Sequence, residues 1–198
     1  MLRALLLIST FLGAFPLYAK DTTPPLSSIR FALGYTDAPE KYYNESGINY
    51  FAQFIHRTNF FSPFNSLAGV SAQPTIKASY RSIHIDNLPV NERSISVISF
   101  FGGLHFNFRN GIYGSFTISN SEYKEKFNKY ILLSLAESES LQAKGFGFEF
   151  GVGYEGYYKL FKKTPMLWFV ELTVTNEQLS TEVDMSSAQV SLGTGFTF

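Results

Sequence analysis

AKGFGFEFGVGYEGYYKL, residues 143–160, alternates between two kinds of side chain along most of its length. One set is apolar and mostly aromatic: Phe146, Phe148, Phe150, Val152 and Tyr154. The other set is small or acidic: Gly147, Glu149, Gly151, Gly153 and Glu155. Successive side chains of a strand point to opposite sides of a sheet, so the segment predicts a β-strand with one aromatic face. Glycine and glutamate on the opposite face favour a barrel strand whose aromatic face meets a bilayer.

The composition limits which classes of protein are consistent with the chain. A length of 198 residues predicts one domain, and a formal net charge of zero lacks the basic surplus of a nucleic-acid binder. The chain has no cysteine, which removes disulfides, thiol catalysis and cysteine metal sites. It has 21 Phe and 12 Tyr but a mean hydropathy of zero, so its apolar residues are spread among polar ones. Alternating strands produce such a distribution.

The N-terminus has the features of a secretory signal peptide. A positive residue at position 3 precedes an apolar stretch, residues 4–15, and Ala19 ends a segment suited to processing. An uncleaved membrane anchor is the alternative, but the apolar stretch is shorter than the ~20 residues that a spanning helix needs. We expect a cleaved signal peptide, a periplasmic linker and a barrel domain at residues 1–19, 20–28 and 29–198 respectively.

The remaining chain divides into eight alternating segments, which predict an all-β, eight-stranded antiparallel up-and-down barrel. They are residues 29–36, 48–61, 75–85, 94–108, 112–120, 143–160, 166–175 and 188–198. Residues 67–73 are either a turn or a bulged strand start, because Pro74 cannot donate to a sheet ladder. Asn110-Gly111 is a strong hairpin signal.

The predicted connections differ in length, which suggests an orientation in the membrane. Those after the fourth and sixth segments are interpreted as short turns, and the one after the second is left open. The others are interpreted as longer polar loops, residues 37–47, 86–93, 121–142 and 176–187. Outer-membrane barrels have short periplasmic turns and long outer loops. Aromatic residues beside the short turns predict an interfacial girdle that includes Tyr113, Tyr157, Tyr158 and Trp168, together with Phe60, Phe61, Phe64, Phe108 and Phe161.

The last strand has a further pattern. Apolar residues recur at alternate positions, Val190, Leu192, Phe196 and Phe198, with the polar Thr194 as an interruption. This resembles the C-terminal assembly signal of Gram-negative outer-membrane barrels. With the signal peptide and the eight alternating strands, the chain resembles the small outer-membrane barrel superfamily typified by the OmpA transmembrane domain, OmpX and OmpW. The resemblance implies an outer-membrane protein without a cofactor, whose partners are the lipopolysaccharide-containing bilayer and the assembly machinery.

Charged residues on the inward-facing positions predict a polar interior. They are Arg30, Arg57, Lys77, Arg81, Glu149, Glu155 and Glu171. Counting from the turn at residues 162–165 places Glu155 opposite Glu171, and such like charges repel unless a cation lies between them. Because side chains can fill an eight-stranded barrel, we expect an ion-pair network that blocks passage. A narrow pore and metal coordination by the glutamates are the alternatives.

Two other patterns suggest chemistry. Gly151, Gly153 and Gly156 match the dinucleotide fingerprint G-x-G-x-x-G, but that motif needs a helix after the strand, and none is predicted here. His84 shares its parity with Ser82 and Asp86, as a hydrolase group of the kind used by lipid A-modifying barrels would require. Side chains two apart on a strand are ~7 Å apart, too far for direct hydrogen bonds.

We therefore expect a monomeric barrel that is not an enzyme and has a structural or adhesive role, with ligands contacting its outer loops. A small-solute pore and a lipid A-modifying enzyme are the alternatives on function. A soluble lipocalin-like barrel is the alternative on fold, and it predicts that the aromatic face points inward.

Overall fold

The computed structural model describes residues 27–37, 46–56, 70–85, 91–108, 111–129, 137–160, 164–179 and 184–198. Eight antiparallel strands form a closed barrel in which each strand pairs with its sequence neighbours and the last pairs with the first. The predicted fold class is confirmed. Within the described residues, no helix is long and apolar enough to cross a membrane. The strands are β1 (Ser28–Asp37), β2 (Ser46–Ile55), β3 (Ser71–Ile85), β4 (Asn91–Asn107), β5 (Ile112–Lys129), β6 (Glu137–Leu160), β7 (Thr164–Leu179) and β8 (Asp184–Thr197).

The alternation places the aromatic face outside and the polar face inside. In β6, Phe146 and Phe150 are 65% and 53% exposed, whereas Glu149 is 1% exposed. Similar outward apolar residues occur on all eight strands and form a continuous surface, here called the apolar belt. Soluble monomers rarely expose apolar patches of this size. The outward aromatic face contradicts the lipocalin-like alternative, because that fold would place it inside.

Several strands are longer than the sequence pattern indicates, and the largest extensions lie at the end opposite the chain termini, here called the extended end. β5 continues to Lys129 and β6 begins at Glu137, so the prediction of a loop over residues 121–142 is wrong for most of its length. Residues 91–93, 176–179 and 184–187 are likewise strand and not loop. Charged side chains give these segments the composition of loops, but their backbone groups are paired across the ladder, as in β5 and β6.

The expected difference in connection length is smaller than predicted, because the connections at the extended end are shorter than the predicted loops. Residues 56–70 form the longest connection, and it lies at the terminal end with the short connections 108–111 and 161–163. The asymmetry of the barrel is therefore an asymmetry of strand length. At the β4–β5 turn, Gly111 has a φ of 79°, a conformation that glycine adopts without steric cost.

Pro74 lies within β3, opposite Leu104, so neither predicted alternative for residues 67–73 describes the start of this strand at Ser71. The Pro74 carbonyl accepts a hydrogen bond from the His56 amide at 3.0 Å. In an antiparallel ladder, the N and O of one residue face the same neighbour, so the missing N–H faces β2 where that strand ends. The proline thus removes no hydrogen bond from the β3–β4 ladder.

At the edge of the apolar belt nearest the extended end, the polar and apolar faces of the strands exchange sides. On the outside, apolar side chains give way to polar ones within one outward step: Tyr35 to Asp37, Ile98 to Ser96, Ile118 to Asn120, Phe146 to Lys144 and Val174 to Asn176. On the inside, apolar residues become frequent at the same end. We call five of them, all buried, the apolar cap: Ile83, Ile95, Val97, Tyr123 and Ala143. Beyond the belt, β3 to β6 therefore approach the pattern of a soluble sheet, with a polar outside and a mainly apolar inside, in which Tyr123 also donates a hydrogen bond to the buried Glu125 at 2.8 Å.

Candidate functional site: the barrel interior

Three buried cations contact four buried carboxylates across the lumen. Arg30 of β1 pairs with Glu155 of β6, and Arg81 of β3 pairs with Glu177 of β7. Lys77 of β3 lies between them, with its Nζ 2.6 Å from Glu149 Oε1 and 3.7 Å from Glu171 Oε1. All seven side chains are at most 4% exposed. Charges removed from water in this way are costly unless each is paired and hydrogen-bonded.

The middle layer is centred on Lys77. Besides its two carboxylates, the ammonium lies 4.5 Å from the ring centroid of Phe51 and 5.0 Å from that of Phe101. Tyr113 donates a hydrogen bond to Glu171 Oε2 at 2.9 Å. Glu149 Oε2 has no hydrogen-bond partner among the described residues. Aromatic rings therefore enclose a cation that two carboxylates share.

The layer nearest the extended end is centred on Glu177, which the sequence reasoning missed. Its carboxylate accepts hydrogen bonds from Ser121 at 2.6 Å and Ser99 at 3.1 Å, in addition to its ion pair with Arg81. Arg81 also donates to Ser187 Oγ at 3.0 Å. Residues 176–187 were predicted as a loop. The inward-facing pattern of Glu171, Thr173 and Thr175 was therefore not extended to Glu177.

The layer nearest the termini is centred on Arg30 and Glu155. Tyr157 donates to Glu155 Oε1 at 2.6 Å. Arg30 lies 5.1 Å from the Tyr113 ring centroid and 5.4 Å from that of Phe169. His105 is fully buried beside this guanidinium and also contacts Asn107 at 3.1 Å. His105 and the aromatic residues were not predicted here, although their inward parity was visible in the sequence.

The expected opposition of Glu155 and Glu171 is wrong. Glu155 lies opposite Phe169, and Glu171 lies opposite Gly153. The turn comprises residues 161–163 instead of 162–165, because β6 ends at Leu160 as predicted but β7 already begins at Thr164. The two carboxylates are therefore diagonal, and each has its own cation. Arg57 lies outside the described residues.

Tyr113 was predicted in the interfacial girdle, and this is wrong, because its side chain is 0% exposed inside the barrel. It shares the inward parity of Ser115 and lies opposite Gly153, where an added Cβ would come within 2.4 Å of the tyrosine ring. Tyr157 has the same inward parity as Glu155, although its ring is half exposed at the mouth of the barrel. Tyr158 and Trp168 lie on the outer surface, where Trp168 packs 5.6 Å from the Tyr154 ring. Phe60, Phe61, Phe64 and Phe161 lie outside the described residues.

The glycine motif and the histidine group have no catalytic geometry in the part of the chain that is described. Gly151, Gly153 and Gly156 all lie within the continuous strand β6, so the strand-to-helix turn of a dinucleotide site is not formed. His84 is exposed near the end of β3, and Asp86 lies outside the described residues. Nowhere in the described ranges do three His, Asp or Glu side chains form a group that could hold a metal ion.

The C-terminal strand closes the barrel. Val190, Leu192 and Phe196 share the outward face of β8. Phe198, the residue after the strand, stacks on Phe54 with centroids 6.4 Å apart. Thr194, the polar interruption, donates a hydrogen bond to the Leu167 carbonyl at 2.9 Å. The hydroxyl thus has a backbone partner despite its position on an apolar surface.

The barrel is similar to two solved structures. The attachment invasion locus protein Ail of Yersinia pestis matches with a TM-score of 0.54 and 14% identity, covering 87% of this chain and 97% of Ail. Neisserial surface protein A matches with a TM-score of 0.51 and 12% identity, again covering 87% and 97%. A scan against protein-family models and a search of curated proteins find no match. The fold that the sequence resemblance implies is confirmed, because both neighbours share it.

Proposed function

We propose that the protein is a non-enzymatic outer-membrane β-barrel with a structural or surface-binding role, and that side chains close its interior. The apolar belt carries the proposal on location. In β4, outward residues stay apolar or small from Ile98 to Phe108, a span close to the ~9–11 residues with which a tilted strand crosses a bilayer. Residues 1–19 would direct export, residues 20–28 would link to the barrel, and the outward face of β8 would engage the assembly machinery.

The orientation follows from the asymmetry of the strands. The first strand begins and the last strand ends at the same rim of the barrel, because Ser28 of β1 pairs with Thr197 of β8. In outer-membrane barrels this end faces the periplasm and the longer structures face outward. The extended end therefore presents β4, β5 and β6 to the exterior. One neighbour is named an attachment protein, and we extend an adhesive role to this exposed sheet.

Two features support a closed interior. The three ion-pair layers cross the lumen at successive heights, and the apolar cap begins beside Arg81, which lies directly opposite Val97 in the β3–β4 ladder. An apolar constriction excludes water and ions even where its radius would admit them. A narrow pore remains the second candidate because Glu149 Oε2, Gln53 Oε1 and Thr117 Oγ1 lack partners among the described residues.

Conductance distinguishes the two candidates. We expect refolded wild-type protein in planar bilayers to give no unitary channels. Val97→Ser with Ile95→Ser should not conduct either, because the ion-pair layers remain. Regular unitary currents from the wild-type protein would favour the pore.

Location is tested separately by membrane fractionation, together with the gel-mobility shift between unheated and boiled samples. We expect the protein in the outer-membrane fraction, with a heat-dependent shift that reports the folded barrel. Recovery from the soluble periplasmic fraction would overturn the proposal.

A further inference from the structure

Two carboxylates share one ammonium in the middle layer of the interior. Lys77 Nζ lies 2.6 Å from Glu149 Oε1 and 3.7 Å from Glu171 Oε1. All three side chains are at most 2% exposed, so water does not screen their charges. Two carboxylates in one buried site do not both ionise unless a positive charge balances each of them. With both glutamates ionised, the layer would therefore lack one positive charge.

The neighbouring layers do not supply the missing charge. Arg30 is paired with Glu155, and Arg81 is paired with Glu177. His105 lies beside the Arg30 guanidinium, which disfavours a second positive charge there. The charged and titratable groups that surround Glu149 and Glu171 in the described strands are Arg30 of β1, Lys77 and Arg81 of β3, His105 of β4, Tyr113 of β5, Glu155 of β6 and Glu177 of β7.

The hydrogen bonds of the two carboxylates show where the charge is missing. Glu171 Oε2 accepts a hydrogen bond from Tyr113 at 2.9 Å, whereas Glu149 Oε2 has no partner among the described residues. Thr117 lies directly opposite Glu149 in the β5–β6 ladder, and its buried Oγ1 also has no partner there. Buried polar atoms without partners are rare in native proteins, so two of them on facing residues indicate a missing ligand.

We propose that Glu149 and Glu171 share one proton, and that Glu149 Oε2 carries it in this structure. A protonated carboxyl is neutral and has an O–H donor, for which the Thr117 hydroxyl across the ladder is an acceptor. The layer then holds one ammonium, one carboxylate and one neutral acid. A hard metal ion would need about six oxygen ligands, more than these two unpartnered atoms provide. The proposal rests on contacts inside the barrel and not on the location proposed above.

The proton makes the stability of the barrel depend on pH. Glu side chains in an unfolded chain lose their protons at a pH of about 4.3. Above that pH the folded state holds one proton more than the unfolded state, so raising the pH favours unfolding. Release of the proton from the folded barrel would leave two buried carboxylates against the single ammonium of Lys77.

Infrared spectroscopy of the full chain, folded in uncharged detergent micelles, tests for the proton directly, because a protonated carboxyl has a C=O stretch that a carboxylate lacks. We expect this band in the wild type at neutral pH. Glu149→Gln should weaken it by the intensity of one carboxyl. Glu171→Gln should do the same, because Lys77 then balances Glu149 alone. Glu122→Gln, on the exposed outward face of β5, is the control and should leave the band unchanged.

Unfolding equilibria at neutral and alkaline pH provide the second readout. In the wild type, the ratio of folded to unfolded protein should decrease by up to about tenfold per pH unit. Glu149→Gln should lack this dependence because an amide stays neutral, and its heat-dependent gel shift should show that it is folded.

The proposal is overturned if the wild type has no carboxylic-acid band at neutral pH, or if Glu149→Gln and Glu171→Gln leave the band unchanged. It is also overturned if wild type and Glu149→Gln have the same pH dependence. Stabilisation of the wild type, but not of Glu149→Gln, by sodium chloride over an equal concentration of choline chloride would overturn it in favour of a bound alkali-metal ion.

Discussion

Lys77 is the residue on which the interior depends most directly. Its ammonium is the cation nearest to both Glu149 and Glu171, and aromatic rings enclose it on two sides. Removing one partner from a buried ion pair leaves an uncompensated charge, and this costs more than the pair itself contributes. The side chain therefore determines whether two carboxylates can stay buried in one layer.

Lys77→Met keeps the length of the side chain and removes its charge. We expect a loss of about 3–5 kcal/mol in the free energy of unfolding, measured by urea titration of protein folded in lipid vesicles. Lys77→Met combined with Glu149→Gln should recover part of the loss, because one buried negative charge is then removed. Equal unfolding midpoints for wild type and Lys77→Met would show that Lys77 is not needed to balance these carboxylates.

At the scale of the element, each of the strands β4 to β6 has one pattern within the apolar belt and another beyond it. Within the belt their outward side chains are apolar and would contact lipid in the proposed location, and beyond it the outward side chains become polar while the apolar cap fills the inside. Burial of apolar surface drives folding only where water is the alternative. The inside becomes apolar at the level where the outside meets water, so the reversal marks the boundary of the membrane.

Two lysine substitutions on the same face of β4 test that boundary. Leu104→Lys lies near the middle of the belt and should cost about 2–4 kcal/mol of folding free energy in vesicles. Ser96→Lys lies beyond the edge and should cost about 0–1 kcal/mol. Refolding titrations measure both. Similar costs at the two positions would place the membrane boundary elsewhere.

At the scale of the whole molecule, closure depends on the pairing of β8 with β1. The terminal Phe198 stacks on Phe54, and its amide donates to the Ser27 carbonyl at 2.9 Å. A closed barrel has no unpaired edge, which is the condition for placing a sheet in lipid. The C-terminal residues therefore have two roles, in closure and in the proposed assembly signal.

Phe198→Ser separates these two roles. We expect in vitro refolding to change little, because one exposed ring is lost while the β1–β8 ladder remains. In cells, the yield of heat-shiftable protein in the outer membrane should fall several-fold if the terminal aromatic residue is read during assembly. Leu172→Ser, at an outward position of β7 that is not part of this pattern, is the matched control. An unchanged yield for Phe198→Ser would exclude the signal.

The sequence by itself determined the strand faces and the fold class, because the two-residue period is a local property that each strand carries alone. It placed Glu149 and Lys77 on the inside without placing them together. Their contact joins β3 to β6, and the register and tilt of the closed barrel decide it. Only the tertiary structure revealed three further features: the inward position of Glu177, the burial of Tyr113 inside the barrel, and the length of β5 and β6. Beyond the apolar belt, the outward positions become polar and apolar residues appear on the inward ones. The composition of these strand segments therefore resembles that of a loop.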